Sequence, residues 1–213
     1  MATKFLVDGP ARAECTILLA HGAGGPMDTP TMTAAAKALA EVGFRVARFE
    51  FEYMAARRHS VVRKPPPRAE KLGPEYLAAI DALKAKGPLI IGGKSMGGRI
   101  ASMIADDLHA AGRIAGLLCL GYPFHPPGRP EQLRTAHLVK LKTPALIVQG
   151  TRDPFGSRAE VSTYALSKTI KILWLEDGDH DLKPRKSISG FSAADHLETA
   201  ARAAAAWAGR IAA

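Results

Sequence analysis

The sequence predicts an α/β fold in which helices cover both faces of one mostly parallel β-sheet. Short apolar runs bounded by glycine or proline alternate along the chain with alanine-rich stretches of helical periodicity. Strand–helix–strand repeats of this kind form right-handed parallel crossovers. The run 117–120 is apolar throughout, as is typical of a strand buried on both faces. With 213 residues the chain has the length of one domain, expected to span residues 1–213.

Six strands are predicted where short apolar runs lie between turn-forming residues. They cover residues 16–20, 45–51, 89–91, 114–120, 145–148 and 170–175. Five helices are predicted between and after these strands, over residues 31–42, 74–86, 96–111, 157–167 and 195–211. The first three of these helices are each followed by a glycine, at positions 43, 87 and 112. Glycine is common just past the end of a helix.

Two segments lack clear periodicity and are expected to be mostly loops. Residues 52–73 contain three consecutive prolines and many basic residues, and a loop of this length in a compact domain is usually functional or mobile. Residues 121–144 contain several prolines and one short predicted helix, over 131–138. Because this second segment is too short for a lid domain, we expect no sizeable cap and an open cleft. The cleft is expected to be lined by Tyr122, Phe124 and Phe155, although each ring could equally belong to the core.

Composition and hydropathy disfavour several protein classes. No apolar run approaches the roughly eighteen residues that a membrane span needs. The first fourteen residues are too charged for a secretory signal, so we expect a cytoplasmic protein without a membrane partner. Cys15 and Cys119 each lie in an apolar run, which favours buried, reduced thiols over a disulfide. We therefore expect neither a metal site nor a cofactor, and the sequence does not indicate an oligomeric state.

The strongest motif is Gly-Lys-Ser-Met-Gly-Gly over residues 93–98, between a predicted strand and a predicted helix. In this context a Gly-x-Ser-x-Gly turn is typical of a nucleophile elbow, in which small neighbours let the strand and the helix pack closely around a strained serine. The hydroxyl of Ser95 would then project above the sheet, beside the amides of a helix N-terminus. A serine that only caps the helix would explain Ser95 but not the glycines on both sides.

The same residues share the ending of a phosphate-binding P-loop, which requires glycine, four residues, and then Gly-Lys-Ser. The first glycine of that motif would fall at position 88, which is proline, and Gly87 is one residue too early. Apolar residues 89–91 occupy the place of the flexible loop. Spacing and composition therefore disfavour a nucleotide-binding site.

A serine nucleophile needs a base and a group that orients the base. Asp153 and His180 follow the fifth and sixth predicted strands, so both lie at the edge where open α/β sheets bind ligands. Serine, aspartate and histidine in this chain order form one known type of catalytic triad. Three other aspartates are alternatives for the acidic residue, but they lie so near His180 in sequence that they are less able to face its imidazole: Asp177, Asp179 and Asp181.

Acyl transfer also needs amide donors for the oxyanion. The amide of Met96, directly after the nucleophile, is one candidate. The second is expected in the sequence HGAGG over residues 21–25, where glycines let an amide approach the substrate. Ala23 is favoured and Gly22 is the alternative. His21 is expected to anchor this loop rather than to act as the base.

Together these motifs resemble the α/β-hydrolase superfamily: HGAGG over 21–25, GKSMGG over 93–98, GTRD over 150–153 and GDH over 178–180. The likeness is strongest to the small dienelactone-hydrolase-like branch, in particular to a bacterial family related to a subunit of an animal histone-acetyltransferase complex, and it runs from the first predicted strand to the last helix. The resemblance implies that Ser95 is the nucleophile, His180 the base and Asp153 the orienting acid, with the amides of Met96 and Ala23 as oxyanion donors. Dienelactone hydrolases proper use a cysteine nucleophile, so their substrate is not implied.

Basic residues outnumber acidic ones by 29 to 20, a formal charge of +9. Ten of the cations fall in segments expected beside the site: Arg57, Arg58, Arg63, Lys64, Arg68, Lys71, Arg152, Lys183, Arg185 and Lys186. A basic rim would attract an anionic substrate, with Arg57 and Arg58 as candidate contacts, and the alternative is that the charges are only solvated. Nucleic acid is a less favoured partner, because no recognised binding fold or aromatic-rich basic motif accompanies the charge.

Two functions are consistent with these features. The first is a serine hydrolase that cleaves ester or thioester bonds of a small-molecule substrate, anionic if the basic rim contacts it, through an acyl-enzyme. The second is a catalytically weak or inactive hydrolase-fold module that uses the basic rim to bind another macromolecule. The complete set of triad residues favours the first. The sequence does not determine the acyl length, the leaving group or whether amides are cleaved.

Overall fold

The computed structural model describes residues 3–60 and 65–211. Arg63 and Lys64 of the expected basic rim therefore lie outside the described residues. The described residues form one sheet, whose strands are, in chain order, β1 (Phe5–Asp8), β2 (Thr16–Ala20), β3 (Arg45–Phe49), β4 (Leu89–Lys94), β5 (Gly116–Leu120), β6 (Ala145–Gly150) and β7 (Ile170–Leu175).

The order of the strands across the sheet is β1-β3-β2-β4-β5-β6-β7. Strand β1 is antiparallel to β3, and the other neighbouring pairs are parallel, which confirms the mostly parallel sheet. From β2 the chain crosses to β3 on one side and then to β4 on the other, so the direction of the connections reverses between β2 and β4. Open α/β sheets bind ligands at the carboxyl ends of strands at such a reversal. The residues found there are 21–25, after β2, and Ser95, after β4.

Helices lie on both faces of this sheet, as predicted. They are α1 (Pro30–Glu41), α2 (Glu52–Arg57), α3 (Gly73–Leu83), α4 (Met96–Ala110), α5 (Arg158–Val161), α6 (Lys186–Ser189) and α7 (Ala193–Ile211), with a 3-10 turn at Ala69–Lys71. Helices α1 and α7 pack together on one face, and α3 and α4 pack on the other. In the described part of the chain, none of the helices combines the length and apolar character required to cross a membrane.

A buried tyrosine joins helix α3 to the centre of the sheet. The hydroxyl of Tyr76 lies 2.6 Å from the carbonyl oxygen of Gly92 and 2.9 Å from that of Leu18, and it accepts the amide of Gly92 at 2.9 Å. Gly92 has no room for a side chain, because a Cβ there would lie 1.7 Å from the carbonyl oxygen of Leu118. These contacts hold the last residues of β4 in place just before Ser95.

The six predicted strands are all present: β2 and β7 have the predicted ends, and the other four differ at one end by two or three residues. Strand β3 stops at Phe49 instead of residue 51, because the amide of Phe51 donates to Nε2 of His21 at 3.2 Å and Phe51 then caps α2. Strand β1 was not predicted. It has only four residues, none of them fully buried, so its sequence lacks the apolar run that marks the central strands.

Three predictions about helices and loops were wrong in part. The predicted helix 157–167 is reduced to α5, because the hydroxyls of Ser162 and Thr163 bind carbonyls three residues back, both at 2.7 Å, and the chain then turns. Residues 131–138 form turns instead of a helix. The expected loop 52–73 contains α2 and the 3-10 turn, and α6 was not predicted.

Both cysteines are free thiols; Cys119 is buried, as expected, whereas Cys15 is only partly buried. Burial raises the pKa of Cys15 to about 11 and that of Cys119 further. Both thiols therefore stay protonated near neutral pH, which removes them as candidate nucleophiles.

Candidate active site

Strand β4 leads into helix α4 through Ser95, whose backbone is strained. Its φ is 51° and its ψ is −116°, a region that residues with side chains rarely adopt. The turn closes because Gly93 and Gly97 lie against the backbone of β2, and a Cβ on either would be 2.4 Å from the carbonyl oxygen of Ala20. The two glycines thus permit the close strand–helix packing that holds the strained serine.

The structure brings the side chains of Ser95, His180 and Asp153 together in one hydrogen-bonded chain. Nε2 of His180 lies 2.8 Å from Oγ of Ser95, and Nδ1 lies 2.8 Å from Oδ2 of Asp153. Because a carboxylate can only accept, the imidazole proton is assigned to Nδ1. Nε2 is then free to accept the proton of the serine hydroxyl, which is the arrangement that a general base requires.

The carboxylate of Asp153 is fully buried and held from several sides. Besides His180, it accepts Nε2 of Gln149 at 2.8 Å and the amide of Phe155 at 2.8 Å. The ring of Phe155 stacks on the imidazole of His180, with ring centroids 4.0 Å apart. These contacts restrict both the carboxylate and the imidazole to one orientation.

The other aspartates near His180 are engaged elsewhere. Asp177 binds Arg185, Asp179 accepts two amides of its own loop at 2.9 Å, and Asp181 lies 3.4 Å from the ammonium of Lys94. The Arg185 guanidinium lowers the pKa of Asp177 to about 2. Because these three aspartates bind other groups, Asp153 is the carboxylate that contacts the imidazole of His180.

The loop after β2 is anchored by His21, as the sequence predicted. His21 is fully buried. Its Nδ1 lies 2.7 Å from the carbonyl oxygen of Gly22, and its Nε2 accepts the amide of Phe51 at 3.2 Å. Burial lowers the pKa of His21, so the ring stays neutral in this role. The hydroxyl of Tyr53 donates to the carbonyl of Ala23 at 3.2 Å and so holds the next peptide of the loop.

A cavity of about 670 Å³ opens above the serine. Six of the predicted site residues line it: Gly22, Ala23, Ser95, Met96, Phe155 and His180. The amide of Met96 is the first of helix α4, so it has no acceptor within the helix. It lies on the cavity wall together with the loop that carries Ala23, where an oxyanion bound to the serine would form.

Two aromatic residues that were expected to line the cleft do not reach it. Tyr122 and Phe124 have 0% of their surface exposed and belong to the core on the face of α3 and α4. The amide of Tyr122 donates to Oε1 of Gln149 at 2.7 Å, which turns this segment inward at the end of β5. Of the three predicted rings, only Phe155 borders the cavity.

Arg57 and Arg58 are also absent from the cavity wall. The guanidinium of Arg58 binds Glu50 and Asp28, both at 2.7 Å. The guanidinium of Arg57 lies over the ring of Tyr53, 5.1 Å from its centroid. These contacts hold both arginines beside α2 and outside the cavity lining, so the structure gives no support to the prediction that they contact substrate.

Three cationic residues of the cavity were missed: Lys94, Arg99 and Arg134. Lys94 precedes the nucleophile, and burial lowers its pKa despite the nearby Asp181. Arg99 could have been found from the sequence, because it follows Ser95 by four residues on a predicted helix and so shares its face. Arg134 carried no such signal, because it lies in turns without periodicity.

Within residues 3–60 and 65–211, no group of three or more histidine, cysteine, aspartate or glutamate side chains is arranged to hold a metal ion. The cavity wall carries the hydroxyl of Ser95 and the imidazole of His180, together with basic side chains that include Lys94, Arg99 and Arg134.

Comparisons with known proteins agree with this architecture. Residues 13–209 match the family described as alpha/beta hydrolase domain. The chain is 28% identical over 149 residues to the putative protein-lysine deacylase ABHD14B of Pongo abelii, a match that covers 70% of this chain and 66% of that protein, just under two thirds of its length.

Two solved structures show the same fold. A dienelactone hydrolase from Anabaena variabilis superposes with a TM-score of 0.70 and 19% identity, over 98% of this chain and 92% of the other. An alpha-beta serine hydrolase homologue from Coxiella burnetii superposes with a TM-score of 0.66 and 20% identity, over 94% of this chain and 91% of the other. Since the family match extends over nearly the whole sequence and the sheet has the same architecture, the chain belongs to the alpha/beta hydrolase domain family.

Proposed function

We propose that the protein is a serine hydrolase that cleaves a carboxylic ester or thioester through an acyl-enzyme. The observation that carries the proposal is the hydrogen-bonded chain from Ser95 through His180 to the buried Asp153, with both links at 2.8 Å. The chain ends at a strained serine on the wall of an open cavity. These features match the requirements of an activated hydroxyl nucleophile.

In the first half of the reaction, Oγ of Ser95 attacks the carbonyl carbon of the substrate while Nε2 of His180 takes the hydroxyl proton. The carbonyl oxygen becomes an oxyanion, for which the amides of Met96 and Ala23 are the proposed donors. As the carbonyl re-forms, the bond to the alcohol or thiol breaks and His180 gives its proton to that leaving group. Asp153 stabilises the imidazolium that exists between these two proton transfers.

In the second half, water takes the place of the leaving group. His180 removes a proton from the water as it attacks the acyl carbon, and returns the proton to Oγ of Ser95 when the ester bond to the enzyme breaks. The carboxylic acid is released and the serine is regenerated. Stacking of Phe155 on the imidazole keeps Nε2 directed at the serine throughout.

The alternative function, an interaction module that uses a basic rim, has less support. Cations of that rim are held by carboxylates of the same chain: Arg58 by Glu50 and Asp28, and Arg152 and Arg185 by Asp177. Three of the ten predicted rim cations are thus paired within the chain, which weakens the attraction of the rim for a polyanionic partner.

The test is labelling with a fluorophosphonate, which reacts with activated serines, followed by mass spectrometry of the peptides. We expect one adduct, on Ser95, and hydrolysis of p-nitrophenyl acetate that is lost in Ser95→Ala. The exposed Ser187 provides the matched control, because Ser187→Ala should label and turn over as the wild type does. Equal turnover in wild type and Ser95→Ala would contradict the mechanism, and absence of any adduct would favour the interaction module. An acetyl-lysine peptide, included because of the deacylase name of the ABHD14B relative, tests whether amides are also cleaved.

A further inference from the structure

One wall of the cavity carries two arginines that the proposed mechanism does not use. Arg99 lies one helical turn after Ser95 on α4, and Arg134 comes from the turns between β5 and β6. The main chain of Arg134 is fixed, since its amide donates to the carbonyl of Phe124 at 2.7 Å and its carbonyl accepts the hydroxyl of Tyr122 at 3.3 Å. Both side chains are therefore presented to the cavity from rigid positions.

The hydrogen-bonding capacity of these two arginines is largely unused. Within residues 3–60 and 65–211, no acceptor lies within hydrogen-bonding distance of the Arg134 guanidinium. In the same set of residues, Nε of Arg99 is buried without a partner, although its Nη2 binds Glu70 at 2.7 Å. A buried donor without an acceptor costs free energy, so Nε of Arg99 favours an acceptor from outside the chain. The guanidinium of Arg134 is only partly buried, and its donors are open to the same acceptor.

The charge of this wall is not balanced either. Arg68, Arg99 and Arg134 lie on it together with one carboxylate, that of Glu70. Burial and the positive charge of Arg99 both lower the pKa of Arg134. Glu70 is largely exposed and binds Nη2 of Arg99, which leaves Nε of Arg99 without a partner among the described residues. Lys94, on the same cavity, is already paired with Asp181.

We propose that Arg99 and Arg134 form a subsite for a carboxylate carried by the substrate itself, at a distance from the bond that is cleaved. The planar guanidinium groups match the two oxygens of a carboxylate, and a bound carboxylate would supply acceptors for both sets of open donors. Four residues of helix separate Arg99 from Ser95, a rise of about 6 Å. One small molecule can therefore span both groups, which indicates a half-ester or half-thioester of a short dicarboxylic acid.

This inference rests on the proposed hydrolase activity, and a pair of matched esters tests it. Mono-p-nitrophenyl glutarate carries the carboxylate, and p-nitrophenyl valerate lacks it. For the wild type we expect kcat/KM to be higher for the glutarate ester. Arg134→Gln should lower that preference about tenfold, while kcat/KM for the valerate ester stays within about twofold. Arg99→Gln should act in the same direction, and Arg99→Lys should restore only part of the preference, because lysine keeps the charge but not the planar fork.

The control variant is Arg202→Gln. Arg202 is exposed on α7, on the opposite face of the sheet from α4, and pairs with Glu198. The variant removes the same unit of charge without touching the cavity, so the preference for the glutarate ester should not change. The subsite would be overturned if Arg202→Gln and Arg134→Gln reduced the preference for the glutarate ester equally. It would also be overturned if Arg134→Gln lowered kcat/KM equally for both esters. Neither outcome would contradict the hydrolase activity.

A binding experiment separates the subsite from the hydrolase activity. Titration of Ser95→Ala with monomethyl glutarate should show binding that is lost in Ser95→Ala/Arg134→Gln, whereas methyl valerate should bind neither variant measurably. Binding of monomethyl glutarate that depends on Arg134, in a protein that hydrolyses neither ester, would support the subsite and reject the proposed hydrolase. Binding that does not depend on Arg134 would overturn the subsite.

Discussion

Replacing Asp153 by asparagine tests the proposed mechanism most directly, because the change keeps the shape of the side chain and alters only its hydrogen bonding. The carboxylate accepts three donors at 2.8 Å, from His180, Gln149 and Phe155. Asparagine offers one acceptor oxygen and an amide that can only donate. If the oxygen faces Phe155, the amide faces His180 and forces the imidazole proton onto Nε2. The imidazole then cannot accept the proton of Ser95.

The size of the effect follows from these contacts. A triad histidine held in the wrong tautomer loses about 10⁴ in kcat in serine proteases, or about 5.5 kcal/mol of transition-state stabilisation. Gln149 cannot rotate to relieve the conflict with the new amide, because its Oε1 accepts the amide of Tyr122 at 2.7 Å. The buried donors that face one another should reduce the free energy of unfolding by about 1–3 kcal/mol.

The assay is p-nitrophenyl acetate hydrolysis by Asp153→Asn and wild type, with urea unfolding of both to establish that the variant is folded. The exposed Asp81, which pairs with Arg113 on the surface of α3, gives the control Asp81→Asn, expected to keep wild-type kcat. A folded Asp153→Asn protein whose kcat lies within tenfold of wild type would refute the assignment of Asp153 as the residue that sets the imidazole tautomer.

Two further predictions concern the turn around Ser95 and the ion pair between Asp177 and Arg185. Gly97→Ala places a Cβ 2.4 Å from the carbonyl oxygen of Ala20 and should lower the free energy of unfolding by about 1–3 kcal/mol. Gly209→Ala, at an exposed helical position with open space around it, should raise the free energy of unfolding by about 0.5–1 kcal/mol. Urea unfolding measures both variants, and equal changes in the free energy of unfolding would contradict the packing argument. Because Arg185 lowers the pKa of Asp177 from 3.8 to about 2, the stability that this pair contributes is complete above pH 3.8 and is lost as the pH falls through about 2. The difference in stability between wild type and Asp177→Asn should therefore be constant near neutral pH and shrink between pH 4 and pH 2, and a difference that grows in this range would reject the pairing.

The contribution of the excess positive charge to the candidate site depends on which cations are paired with carboxylates. The sequence assigned ten cations to a basic rim, but the structure holds Arg58, Arg152 and Arg185 against carboxylates. Arg68, Arg99 and Arg134 line the cavity, and of these three only Arg68 was in that set. The proposed contact with an anionic substrate therefore moves mainly to Arg99 and Arg134, because ion pairing depends on which side chains the fold brings within a few ångströms.

Features that depend on short-range spacing could be predicted from the sequence alone. The parallel sheet follows from alternating apolar and helical periods. The elbow follows from glycines beside Ser95 between a strand and a helix, and the strand ends identify Asp153 and His180 as candidates, because parallel strands direct their carboxyl ends to one edge. The short edge strand β1 was missed, since a half-exposed strand leaves no continuous apolar run.

Only the tertiary structure decided contacts between segments that are far apart in sequence. It showed that Asp153, and not an aspartate nearer in sequence, reaches His180, because Arg185 and Lys94 hold two of the alternatives. It also turned Tyr122 and Phe124 into the core and placed Arg134 beside Arg99. Residues 121–144 have no periodicity, so the direction of each side chain there is set by long-range packing. The sequence by itself could therefore identify Ser95 as the candidate nucleophile but not the cavity that surrounds it.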